Sequence, residues 1–118
     1  MKTINRTVVV VKPLQAYVDW ANSCADPSDD PVKTSVDDLS DDATCYLIPN
    51  FEDLKKQEKY LASLKSQIFE DQLEAWSLDE NEWPKNRNAK IFDQWFKLEV
   101  HSMVFDTVNK PIVFDDEE

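Results

Sequence analysis

Thr7-Val8-Val9-Val10-Val11-Lys12, followed at once by Pro13, is the stretch on which the fold turns. Its four consecutive valines are β-branched, stiff at χ1 and better suited to a pleated surface than to a helix. Apolar and polar positions do not alternate along it. Such a run reads as a strand at the centre of a sheet or covered on both faces. On its C-terminal side Pro13 suits the first turn of a helix, and Leu14, Tyr17, Val18, Ala21 and Cys24 recur at helical spacing, predicting a helix to about Ser23.

Further along, Thr44-Cys45-Tyr46-Leu47-Ile48 predicts a second strand, closed by Pro49. Asn50 is placed to cap the next helix, with Glu52 and Asp53 in a first turn where the helix dipole favours carboxylates. Leu54, Leu61, Leu64, Ile68, Phe69, Leu73 and Trp76 then carry an apolar stripe from about Phe51 to Ser77, read as two helices or one helix kinked near Ser66. Residues 77–87 (SLDENEWPKNR) are turn-rich, and Asn86 or Asn88 caps a short helix through Phe96. Lys97–Val108 fits two periods: Leu98, Val100 and Val104 alternate as in a strand, while Phe92, Trp95, Glu99, Val100 and Met103 suit a helix. The content of Val, Phe and Thr, and the poor sheet that two strands alone would make, favour a third strand. The order β-α-β-α-α-β makes this an α+β domain, a small sheet of about three strands with helices packed on it.

The chain has 118 residues, of which 42% are hydrophobic and 31% charged, with a formal net charge of -11. That length and apolar content suit one core, in a single domain over residues 1–114. The charge is concentrated. Ala25–Ala43 holds seven aspartates against Lys33, a net -6, and the tail Asp115–Glu118 adds -4, so the rest of the chain carries only -1. No aliphatic run exceeds Val8–Val11, too short for a membrane span or signal sequence, so a cytoplasmic protein with no membrane partner is expected. Cys24 and Cys45 are too few for a disulfide framework and read as reduced, buried thiols.

Glycine is absent altogether. Phosphate loops of the GxxxxGK[ST] and GxGxxG kinds, the GxSxG nucleophile elbow and the EF-hand loop all need backbone that glycine supplies cheaply, so those chemistries are excluded. Left-handed turn and C-cap positions are expected to fall to asparagines such as Asn22, Asn50, Asn81 and Asn109. His101 is the only histidine, which rules out HExxH and any paired-histidine zinc site. A nucleophilic pair of His101 with Cys24 or Cys45 competes with simple packing roles, and packing is the favoured reading. The aspartates would attract hard cations, but nothing in their spacing fixes a ligand geometry; neither a metal nor a cofactor is expected.

Three groups of residues stand out as candidate contacts. Trp83, Lys85 and Arg87, with Lys90 beside them, concentrate aromatic and basic character, and together with His101 they suggest a pocket for a small ligand. Asp37, Asp38, Asp41 and Asp42 end the acidic loop, with Asp37 and Asp38 also suited to the first turn of a short helix after Ser35. Lys110–Glu118 (KPIVFDDEE) joins an extended apolar triplet ending at Phe114 to the acids Asp115 and Asp116 and two glutamates. Such a tail either adds as a strand to a partner's sheet edge or docks on the chain's own sheet.

The runs PLQAYVDW, TCYLIP, WPKNR and WFKLEVHSMVFD resemble those of short acidic bacterial proteins of uncharacterised function, over most of Val8–Ile112. That resemblance implies an independently folding domain and no particular chemistry. The residues themselves point to a non-enzymatic binding or regulatory protein whose acidic segments engage a basic protein partner. A small enzyme or ligand-binding domain using Trp83, Arg87 and His101 is the alternative, and a mimic of nucleic-acid charge ranks lower because loop and tail acids lack a rigid phosphate-like array. Direct nucleic-acid binding is disfavoured by the chain's own negative charge.

Overall fold

A computed structural model of the chain describes residues 1–24 and 34–115. Its elements run β1 (Lys2–Thr3), β2 (Arg6–Pro13), α1 (Gln15–Ser23), α2 (Val36–Ser40), β3 (Thr44–Pro49), α3 (Leu54–Glu74), a 3-10 turn (Glu80–Glu82), α4 (Ala89–Trp95), β4 (Phe96–His101) and β5 (Phe105–Asp106). The fold is α+β. The valine run lies in β2, the middle strand of an antiparallel sheet ordered β3-β2-β4. Lys97–Val108 resolves as strand rather than helix, interrupted after His101 and resumed at Phe105, where β5 pairs with β1.

The valine strand is central, but it is covered on one face only. Thr7, Val9, Val11 and Pro13 are buried, while Val8, Val10 and Lys12 between them are half-exposed. The register puts Val9 opposite Tyr46 and Val100, and Val11 opposite Thr44 and Leu98, so these side chains share the inner face. The helices pack there. Phe69 of α3 is wholly buried, and its ring meets Phe92, Trp95 and Phe96 with centroids 5.4 to 5.9 Å apart. Tyr17 of α1 meets Phe96 edge-on at 4.8 Å. Offset and edge-to-face pairs of this kind add to the area term of burial. Trp83 closes the cluster with 7% of its surface exposed, and Trp20 and Trp95 flank it, so most of the tryptophan content serves the core.

Several local expectations change. The apolar stripe of residues 51–77 forms one unbroken helix, α3, because nothing near Ser66 interrupts its hydrogen-bond ladder. Its N-cap is Asp53, which accepts from the Lys55 amide at 2.9 Å, whereas the Asn50 side chain accepts instead from the Thr7 hydroxyl at 2.7 Å and ties β3 to β2. Pro13 ends β2 rather than opening α1. Ser35 caps α2 through the Asp38 amide and Asn88 caps α4 through the Ile91 amide, as their spacing implies. No described residue has positive φ, so the asparagines expected in left-handed positions are not used that way. Helices instead end in right-handed or extended backbone at Cys24, Asp41, Ala75 and Phe96, and the chain needs no glycine there. Neither thiol is fully buried: Cys24 is half-buried, and Cys45, on the outer face of the edge strand β3, is exposed.

Candidate functional site

An open groove of about 650 Å³ lies at the start of β4. Its apolar floor comes from Leu14, Leu61, Phe96 and Leu98, and Glu58, Lys65, Asp93 and Lys97 stand around it. Glu58, Leu61 and Lys65 share a side of α3 because they are three and four residues apart. Lys65 donates to Asp93 of α4 at 2.8 Å, with its ammonium 5.6 Å from the centre of the Phe92 ring. That bridge spans the two helices. Phe96 and Leu98 point to the inner face and Lys97 to the outer face, yet all three line the groove, so it wraps the β4 backbone. Among the described residues no strand pairs with β4 on the side away from β2, which leaves main-chain donors and acceptors beside an apolar depression.

Charge is uneven around it. Lys97 lies directly opposite Lys12 on the outer face of the sheet, a like-charged cross-strand pair with no acidic partner in contact. Lys55 continues the Glu58–Lys65 side of α3 toward its N-terminus, with Lys56 and Lys59 beside it. The groove's own lining is charge-balanced, Glu58 and Asp93 against Lys65 and Lys97, and the local positive patch is the Lys12–Lys97 pair.

The C-terminal segment is the opposite kind of surface. Ile112, Val113 and Phe114 are 66 to 69% exposed, so they do not dock on the chain's own sheet. Asp115 follows them, also exposed; Asp116 and the two glutamates lie outside the described residues. In the acidic loop, Asp37 and Asp38 occupy the first turn of α2 and Asp41 its C-cap, all exposed, with Asp42 exposed just beyond. None of these aspartates is ion-paired among the described residues, where the ion pairs are Lys65 with Asp93 and His101 with Glu99. Asp26, Asp29 and Asp30 lie outside the described residues.

Trp83, Lys85, Arg87 and His101 do not form one pocket. Trp83 faces the core, its indole donating to the Ser77 carbonyl at 2.9 Å, and Arg87 folds over that ring at 5.7 Å while donating to the Pro84 carbonyl. Lys85 points to solvent. His101 sits on the outer face of β4 opposite Val8, 3.7 Å from Glu99, with the sheet between it and the helix layer that holds Trp83.

The titratable groups that are perturbed serve packing. Burial, and then its hydrogen bond to Asp71, push the Tyr46 hydroxyl up to about 12, and burial raises Tyr17 further. Burial, reinforced by the charge of Glu82, raises the Cys24 thiol, the wrong direction for a nucleophile. Among the described residues no three metal-ligating side chains converge, and no helix is long and apolar enough to cross a membrane.

The groove was not among the sequence candidates. Lys65 and Asp93 meet across 28 positions and Lys12 meets Lys97 only through strand pairing, so no linear spacing announces either pair. The one local hint is Leu61, an apolar stripe position lying outside the buried set of α3. Comparison with protein-family models, with curated proteins and with solved structures finds no match.

Proposed function

We propose that this chain is a non-enzymatic binding protein whose C-terminal segment, assisted by the acidic residues around α2, engages a basic protein surface. The observation that carries this reading is the exposure of Ile112, Val113 and Phe114 next to a run of carboxylates. Three consecutive large apolar residues in water have no folding role, and an adjoining acidic block selects positively charged neighbours. An extended segment of this composition suits addition to a free sheet edge, where main-chain hydrogen bonds give affinity and alternate side chains fill pockets. The carboxylates Asp37, Asp38, Asp41 and Asp42 supply a second acidic contact without having to break existing ion pairs.

The test is affinity capture from native lysate at low salt with three baits: the intact chain, a chain ending at Phe114, and a chain with Ile112, Val113 and Phe114 replaced by serine. The expected result is a basic protein held by the intact chain, released by added salt and lost from both variants. Retention of the same proteins by both variants, or no capture at low salt, would sink the reading.

A further inference from the structure

We infer that the C-terminal segment, alongside any basic partner, has a receiver in a second copy of this chain, with Ile112–Phe114 of each copy seated in the groove at the start of the other's β4. This rests on the reading of the tail as the binding element, and it names the surface that receives it. The chemistry matches on both sides. The groove floor of Leu14, Leu61, Phe96 and Leu98 is apolar, β4 offers an extended segment an edge unpaired among the described residues, and such a segment turns Ile112 and Phe114 together toward the floor. Asp115, which follows the triplet, would then fall beside Lys97 and Lys12, a cross-strand pair of like charges with no ion pair among the described residues. An incoming Asp115 removes a repulsion as well as forming a contact.

Geometry favours another copy over the chain's own tail. Asp106 pairs with Lys2, at the opposite end of the β1–β2 and β4–β5 ribbon from Pro13 and Phe96. The eight residues from Leu98 to Asp106 span roughly 26 Å of strand, whereas the six from Asp106 to Ile112 reach at most about 21 Å even when straight, and they must first reverse direction. The triplet therefore falls short of its own groove. Two copies lying antiparallel place each tail root beside the other's groove, a closed two-fold exchange rather than an open chain. Burying the triplet removes on the order of 300 Å² per tail and a similar area per groove, so a reciprocal pair reaches about 1,200 Å², the lower limit of stable interfaces.

Sedimentation equilibrium of the full chain at low salt tests this. Expected are a dimer at micromolar to high-micromolar concentration and at least about tenfold weaker association for Phe114→Ser and for the double variant Lys12→Glu with Lys97→Glu. Circular dichroism confirms that each variant is folded. Combining the lysine reversals with Asp115→Lys and Asp116→Lys should restore the dimer. A monomer at every concentration, or a dimer unaffected by Phe114→Ser, overturns the inference. If that monomer still captures a basic protein through its tail, the proposed function survives and only the second copy as receiver falls.

Discussion

Val9 and Val10 are neighbours in one strand, and they live in different environments. Val9 is wholly buried beneath the helix layer, whereas Val10 faces outward between Cys45 and Glu99 and is half-exposed. A β-strand turns successive side chains to opposite faces, so a run of four valines need not be a strand buried on both sides. The inner face holds the aromatic cluster that makes this a domain. The outer face is a thin layer of half-exposed valines, an exposed cysteine and charged neighbours, and the C-terminal segment follows β5, which pairs with β1 in a separate two-stranded sheet. Stability belongs to the first region and recognition, on the reading proposed above, to the second.

The sharpest way to break that division is to attack the inner cluster at its centre. Phe69→Ala removes a ring that touches Phe92, Trp95 and Phe96 and leaves a cavity no neighbour is free to fill. It should cost about 4 kcal/mol in urea unfolding, a large part of the stability of a domain this size. A loss below about 1 kcal/mol would show that the aromatic cluster is not the organising core.

Next in size is the contrast within β2. Val9→Ala should cost about 2 kcal/mol, from two buried carbons plus the residual cavity, and Val10→Ala less than about half of that. Equal losses would mean that something covers the outer face in solution, and a concentration-dependent loss for Val10→Ala would point to that cover being another copy of the chain.

What could be read from the sequence follows the same divide. The α+β class, the β-α-β-α-α-β order of the longer elements and the caps at Ser35 and Asn88 were legible because each depends on residues within a few positions of one another, whereas that order left out the short α2, and β1 and a separate β5 were not foreseen. The coverage of β2 was misread since valine is at home on a buried face and on a half-exposed one, and only the partner strands distinguish them. Asn50 looked like a helix cap by position, yet Thr7, 43 residues away, competes for its side chain. The groove and the Lys12–Lys97 pair were hidden because they exist only once strand pairing and helix packing are known. The tail was legible as a composition, an apolar triplet before acids, but its exposure was not, since a sequence does not reveal whether an apolar triplet has a place on its own body.

A smaller effect concerns pH. The Tyr46 hydroxyl, half-buried and donating to Asp71, is held at about 12, and Tyr17 is raised as well. Unfolded tyrosines ionise near 10, so above that pH the unfolded state loses protons that the native state retains. The native tyrosines' contribution is complete below pH 10 and is lost as pH rises through their folded values. Thermal unfolding should therefore be flat with respect to these groups up to about pH 10 and fall above it. Tyr46→Phe should cost about 1 kcal/mol at neutral pH through the lost hydrogen bond and should shallow the alkaline decline. An alkaline decline as steep in Tyr46→Phe as in the parent would place its origin elsewhere.

The smallest expected effect is at the far end of the comparison, in deletion of Asp115–Glu118. Asp115 is exposed, makes no ion pair among the described residues and follows a triplet that is about two-thirds exposed. Removing four carboxylates takes the net charge from -11 to -7, which relieves self-repulsion rather than removing a contact. Stability of the dilute monomer at low salt should stay within about 0.5 kcal/mol of the intact chain or rise slightly, and the difference should shrink as salt screens the charges. A fall larger than about 1 kcal/mol at dilutions where the chain is monomeric would mean that the tail contributes to its own fold. The separation between a packed face that holds the domain together and an exposed segment that meets a partner would then be wrong at its most accessible point.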